Sequence, residues 1–470
     1  MKIGGLIICL LMLLSGCGEG QRIVGEKPYF VRGLLMEEPF PENRKAWSQL
    51  IESCKEYGFN YMKLAIDEIP DEAFAVAEEL DFCIGTDSIL LTECDLAECG
   101  YPDINRPGFE QVRRSLREQG LEGLTDDFVF SCGRTQILLL KKNIEKILYD
   151  KGIQGFLLRG WRDCPKKNQV GILNEDGTGK KYISAGEFNC FCSPVVVLFP
   201  MEKQVFANDE MLKGELKIVN GTDSLISRCC VEWRLKERNG KIWKADTLQI
   251  EDIPARSSEP LGGLNIPLTD FERPVQLSLE IRVGDYFNNW YFSVYPKEQF
   301  SVGDIDNIKV VSRLDTTVLG FLNKGGKLLF APKIEYKMSD FGRNVLCNPV
   351  HPAFGLFPTF SYTTTEWKDI LQYAKPVDLE EFNGNYRPIV RLVDSPERNH
   401  SLALLLEARV GKGKILLSGC DFTTDMEQRP ASRQLLCSLK SYMASELFCP
   451  SFEMGEEELK KMTDSLINGN

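Results

Sequence analysis

The feature that most constrains this chain is a double change of hydrophobic period. Between residues 29 and 165, short apolar runs alternate with stretches whose apolar residues recur at helical spacing. Between 196 and 298 the pattern becomes one of short alternating strands separated by turn signals, and from 299 to 450 the first pattern returns. A period of two marks half-buried strands and a period near 3.6 marks amphipathic helices. The order therefore predicts an α/β unit, an all-β unit and a second α/β unit. At 470 residues the chain is long enough for about two to four domains.

In the first unit, Tyr29–Gly33, Asn60–Ala65, Phe82–Gly85, Ile89–Glu93 and Gly155–Gly160 read as strands. Helices are expected over Pro41–Tyr57, Pro70–Leu80, Gly108–Gln119 and Arg134–Asp150, the first ended by Gly58. Such βαβα order implies a parallel sheet or barrel. About five strands fall short of the eight of a closed barrel, so the unit is expected to be an incomplete (β/α) barrel-like domain or a smaller α/β fold over residues 22–195. Residues 196–298 predict an immunoglobulin-like β-sandwich, with Trp233 pointing into its core. Residues 299–450 predict an open, doubly wound sheet of flavodoxin or glutamine-amidotransferase type. There Val410-Gly411-Lys412-Gly413 is a hairpin turn and not a phosphate loop, because the GxxxxGK[ST] spacing is absent. Residues 451–470 read as a peripheral helix or tail.

The net charge of −12, with no basic block, argues against nucleic acid as a partner. Met1-Lys2 followed by the apolar run Ile3–Leu14 reads as a secretion signal over residues 1–17, too short for a stable membrane span. Leu14-Ser15-Gly16-Cys17 is similar to a bacterial lipobox. That resemblance implies an exported lipoprotein, periplasmic or on the outer membrane or cell surface, anchored through acyl chains on Cys17. The remaining cysteines lack metal spacing, and the two histidines, His351 and His400, argue against a histidine-rich metal site. Scattered free thiols packed as small hydrophobes are expected. No cofactor is implied, and the oligomeric state stays open.

The candidate for chemistry is Ile89–Asp103. Here a buried-type strand runs into Glu93, and Cys94, Asp95 and Glu98 follow. In parallel α/β folds, catalytic and binding groups gather at the carboxyl ends of strands. A carboxylate that caps a helix or faces water would look the same.

Several segments, in order, resemble the β-galactosidase-like members of glycoside hydrolase family 2. Phe30-Val31-Arg32-Gly33, Trp47, Lys55 to Lys63 and Pro70 to Phe74 resemble that family's first barrel strands. Glu93 with Tyr101-Pro102-Asp103 resembles its nucleophile segment. Gly155 to Leu158, Asp163 and Val170 to Leu173 resemble its last barrel segment. In the C-terminal unit, His351 to Phe354, Glu397-Arg398-Asn399 and Arg429-Pro430-Ala431 also match. The resemblance implies O-glycoside hydrolysis with Glu93 as nucleophile. It further implies a carbohydrate ligand contacted by Asp163, Asp95 and the ring of Trp161.

The departures bear on the same chemistry. The family's N-terminal jelly roll is missing, and so are its middle barrel strands with the acid/base glutamate. A retaining glycosidase needs two carboxylates about 5–5.5 Å apart. A substitute acid would have to come from Asp95, Glu98, Asp67, Glu68 or Asp163. Three readings follow: a hydrolase, a relative with catalysis impaired or lost that binds carbohydrate, or a surface lipoprotein serving protein contacts.

Overall fold

The computed structural model describes residues 28–86, 92–95, 100–150, 154–167, 169–227, 229–297, 307–334, 344–382 and 384–467. For residues 92–95 the backbone alone is described, and the side chain of residue 167 is excluded. Cys17 and the signal-like segment lie outside these residues.

The first unit runs β1 (Val31–Met36), α1 (Arg44–Glu56), β2 (Tyr61–Leu64), α2 (Asp71–Glu79), β3 (Cys83–Gly85), β4 (Thr92–Asp95), α3 (Glu110–Glu118), α4 (Thr125–Tyr149), β5 (Gly155–Arg159) and α5 (Ala185–Asn189). Helix α1 starts at Asn43, whose side chain accepts from the Ala46 amide, and Gly58 follows its end at φ +83°. The strands form one sheet in the order β3-β2-β1-β5-β4, and every pairing is parallel.

That order differs from a doubly wound sheet. From β1 to β2 to β3 the chain steps in one direction, and from β4 to β5 it steps in that same direction. Right-handed crossovers that all step one way place their helices on one face. The packing agrees. Leu34, Met62, Ile84, Phe156 and Leu158 point to one face and are covered by Trp47, Leu50 and Ile51 of α1, Ala73 and Val76 of α2, and Ile137, Leu140 and Ile144 of α4. The opposite face carries the separate apolar row Val31, Tyr61, Cys83 and Leu157, all buried. First and last strands are neighbours, as in a barrel, but among the described residues β3 and β4 are open edges. The connection from β3 to β4 crosses from one edge to the other.

The sandwich comprises β6 (Val195–Leu198), β7 (Val205–Ala207), β8 (Met211–Asn220), β9 (Cys230–Glu237), β10 (Ile242–Gln249), β11 (Ser257–Pro267), β12 (Val275–Val283) and β13 (Tyr286–Tyr295). Its sheets are β10-β9-β12-β13-β7 and β11-β8-β6. Trp233 is buried in the shared core as its alternation predicts.

The C-terminal unit contains β14 (Ile308–Val311), α6 (Thr316–Asn323), β15 (Lys327–Phe330), β16 (Asn344–Cys347), α7 (Glu366–Leu371), β17 (Val377–Asp378), β18 (Val390–Val393), β19 (Leu402–Val410), β20 (Gly413–Ser418), α8 (Pro430–Ala444) and α9 (Glu456–Ile467). Its sheet order is β14-β15-β20-β19-β18-β16, with β17 beside β19. Only β14, β15 and β20 run parallel. The pairings β20–β19, β19–β18 and β18–β16 are antiparallel. The expected open, doubly wound sheet is therefore a mixed one. The cause is the Val410–Gly413 hairpin, which reverses the chain directly into the sheet centre without a crossover helix. Helix α9, expected as a peripheral element, buries Leu459, Met462 and Leu466 in the core of this unit.

Helix α4 joins all three units. Ser131 Oγ donates to Val345 O of the C-terminal unit (2.8 Å). On the sandwich side, Glu145 accepts from Trp290 Nε1 (2.8 Å) and Asn288 Nδ2 (2.8 Å). Among the described residues no helix is long and apolar enough to cross a membrane.

Candidate functional site

Strand β4 carries the strand-end acids. It pairs in parallel with β5, with Glu93 opposite Leu157 and Asp95 opposite Arg159. The backbone thus puts Glu93 within an edge strand, level with the middle of β5 and with Gly33 in the first half of β1, and not at the strand's carboxyl end as the sequence led one to expect; Asp95 is the residue at that end. The side chains of Glu93 and Asp95, and Glu98 altogether, lie outside the described residues. Asp67 and Glu68 follow β2 and are exposed.

The row that shares Glu93's register is filled with apolar groups. Leu157 lies over Gly33, where an added Cβ would stand 2.5 Å from Leu157 Cδ2. Tyr61 lies over Gly85 in the same manner, at 2.7 Å from the phenolic oxygen. Glycine at these positions lets large side chains of neighbouring strands close over the sheet.

Asp163 and Trp161 follow β5, where the resemblance puts substrate contacts. The structure gives both another role. Asp163 is buried, 2.5 Å from Lys180 Nζ, and accepts from the Gly171 amide at 2.8 Å. Burial pushes its carboxyl above the ordinary range, against the pull of Lys180. Trp161 is 2% exposed, edge-on to Tyr57 and Phe59 at 5.3 Å each. A ring so enclosed offers no open face for stacking.

An open cleft lies elsewhere, where the three units meet. A cleft of about 710 Å³ is bounded by α4, by residues 180–187, by the β9–β10 hairpin and by residues 360–362. Phe360 and Tyr362 stack at 5.2 Å with planes 24° apart, and Phe130 stands edge-on to Tyr362 at 6.0 Å. Arg134 bonds Tyr182 O (2.9 Å) and Glu187 Oε1 (2.8 Å). Arg238 donates to Thr359 O (3.1 Å) and lies over Phe360 at 4.6 Å. Sequence reasoning missed this cleft because its walls come from four distant segments.

Among the described residues, one cluster has ligand atoms spaced for a metal ion: Asp378, Glu380 and His400. His400 Nδ1 lies 2.6 Å from Asp378 Oδ2, and Nε2 lies 3.5 Å from Glu380 Oε2. An imidazole oriented by a carboxylate and facing a second one is a common outer arrangement of metal sites. The same three groups also satisfy one another directly, His400 Nδ1 with Asp378 at hydrogen-bond distance.

Two family models match this chain, and both are domains of unknown function. DUF8488 covers residues 210–296 and DUF8487 covers residues 337–464. No curated protein matches it. Its structural neighbours include glycosidases. An exo-chitosanase, CsxA of Amycolatopsis orientalis, aligns at 7% identity over 56% of this chain and 48% of that one, with a TM-score of 0.37. The apo β-glucuronidase 3 of Bacteroides uniformis aligns at 11% identity over 57% and 49%, with a TM-score of 0.24. A CARDB domain from Pyrococcus furiosus, in complex with di-metal ions, aligns at 13% identity over 22% of this chain and 92% of that domain, with a TM-score of 0.17. The chain spans about half the length of the two glycosidases.

Proposed function

We propose that this chain is a carbohydrate-binding protein built on a reduced glycosidase-like scaffold, that it does not cleave glycosidic bonds, and that a lipid on Cys17 holds it at a bacterial envelope membrane. One observation carries the non-cleaving part: the sheet order β3-β2-β1-β5-β4, in which the β3–β4 connection passes from edge to edge. In a closed barrel, further strands would bridge those edges. Their carboxyl ends would supply the second carboxylate that a glycosidase requires. The fill of the inner row supports the same reading, because Leu157 and Tyr61 occupy the space above the strands next to Glu93. Asp163, a possible substitute acid, is held by Lys180. The lipid anchor rests on the Leu14-Ser15-Gly16-Cys17 pattern after an apolar run.

The test is incubation with fluorescently end-labelled neutral and acidic oligosaccharides. Binding is read by affinity electrophoresis and products by mass spectrometry. Retention of at least one sugar without new products is expected. Shortened products would overturn the non-cleaving reading, and no retention of any sugar would overturn the binding one.

A further inference from the structure

We infer that the cleft at the three-unit junction binds an acidic oligosaccharide, with sugar carboxylates recognised by Arg238 and Lys181 and a ring face by Phe130. This rests on the carbohydrate-binding reading above and adds a location and a charge to it.

The location follows from shape and from who builds it. Pockets for small ligands gather at domain interfaces and span about 300–1,000 Å³, and this cleft of about 710 Å³ lies where all three units meet. Its walls hold together through Arg134, which ties α4 to Tyr182 O and Glu187, and through Arg238, which ties the β9–β10 hairpin to Thr359 O. The cleft is thus formed by the folded arrangement of all three units.

The ligand class follows from two features that coincide there. Phe130 is 40% exposed, among the most exposed aromatic side chains of the described residues, and it extends the Phe360–Tyr362 stack toward solvent. An exposed ring face gives the apolar C–H surface of a sugar something to pack against. The second feature is charge. Arg134, Lys180, Lys181 and Arg238 line the cleft against the single carboxylate of Glu187. Lys180 is neutralised by Asp163 and Arg134 by Glu187. Lys181 and Arg238 are exposed and leave a local positive field in a chain of net charge −12. A guanidinium with one nitrogen anchored keeps a donor edge that matches a carboxylate.

The test is calorimetric titration of the full chain with a galacturonic acid trisaccharide and with a neutral galactotriose, in low and high salt. The variants are Phe130→Ala and the double variant Lys181→Ala/Arg238→Ala, each checked for an unchanged melting temperature. Phe130→Ala also covers the case in which the double variant loosens the Thr359 contact. The acidic trisaccharide is expected to bind at least tenfold more tightly than the neutral one and to weaken with salt. The double variant should lose that preference, and Phe130→Ala should weaken both sugars at least fivefold. Equal binding of the two sugars, abolished by Phe130→Ala, would overturn the charge inference and leave carbohydrate binding standing. Sugar binding unchanged in every variant would overturn the location. Binding of neither trisaccharide would overturn this inference, and retention of another sugar of the labelled panel would then leave carbohydrate binding standing.

Discussion

Lys180 Nζ lies 2.5 Å from Asp163 Oδ2, and both side chains are almost fully buried. The pair stands just past the end of β5, where a family resemblance had implied a sugar contact. An ion pair this deep holds the 160–180 segment by mutual need, because either charge left alone would be stranded without water. Asp163→Ala is therefore expected to lower the free energy of unfolding by about 3–5 kcal/mol. The double variant Asp163→Ala/Lys180→Met should recover much of that loss. Urea denaturation followed by tryptophan fluorescence measures both. An Asp163→Ala variant of wild-type stability would return Asp163 to the list of ligand contacts.

Glu366 poses the opposite case, a buried carboxyl between the sandwich and the C-terminal unit. It is 1% exposed and accepts from Gln276 Nε2 (3.2 Å) and Thr359 Oγ1 (3.1 Å). Burial raises its carboxyl above the ordinary 4.5. With the folded value above the unfolded one, its contribution to stability is complete below about pH 4 and is lost as pH rises through the folded value. Glu366→Gln keeps an acceptor and removes that loss. The variant should be more stable than wild type at neutral pH, and the two should converge in acid. Parallel pH profiles would contradict this account.

The cysteines give a prediction about redox state. Twelve cysteines among the described residues are free, and Cys449 is the exposed one. Burial pushes the Cys192 and Cys420 thiols up to about 12, so they react slowly as thiolates. In native protein a disulfide-exchange reagent should label Cys449 within minutes and the buried set only after denaturation. Mass spectrometry of tryptic peptides reads this directly, and native disulfide-linked peptides would contradict it.

The proposed membrane attachment would run through Cys17. In cells fed an alkyne-tagged fatty acid, wild-type protein should carry the tag and sediment with membranes. Cys17→Ser should lose both properties. A tagged Cys17→Ser protein would show that the lipid sits elsewhere.

Much of the fold is legible in the residues. Helices α1 and α2 and strands β2 and β5 stand where hydrophobic period and stop residues put them, and β1 runs to Met36, past its expected end at Gly33. Helix α4 begins nine residues before its expected start. Ser131-Cys132-Gly133 interrupts the apolar pattern there, but Gly133 is required because Tyr182 packs against it, 2.3 Å from where a Cβ would stand. Strand β11 was hidden by Pro260 and Gly262-Gly263, which shift its register against β8. Strand β10 lacks a buried face to signal it, since most of its residues are exposed or half-buried. The candidate sites divide the same way. Glu93 could be singled out from a strand pattern. The fates of Asp163 and Trp161, and the junction cleft, depend on partners 17 to more than 200 residues away, which no local pattern contains.

The non-cleaving reading proposed above leaves Glu93 without the second carboxylate a glycosidase needs. Its most direct test compares wild type with Glu93→Gln on a panel of nitrophenyl glycosides at high protein concentration. The claim predicts release rates that agree within about twofold, at the level set by buffer alone. A wild-type rate that falls by several orders of magnitude in Glu93→Gln would contradict it and make this protein a working glycosidase.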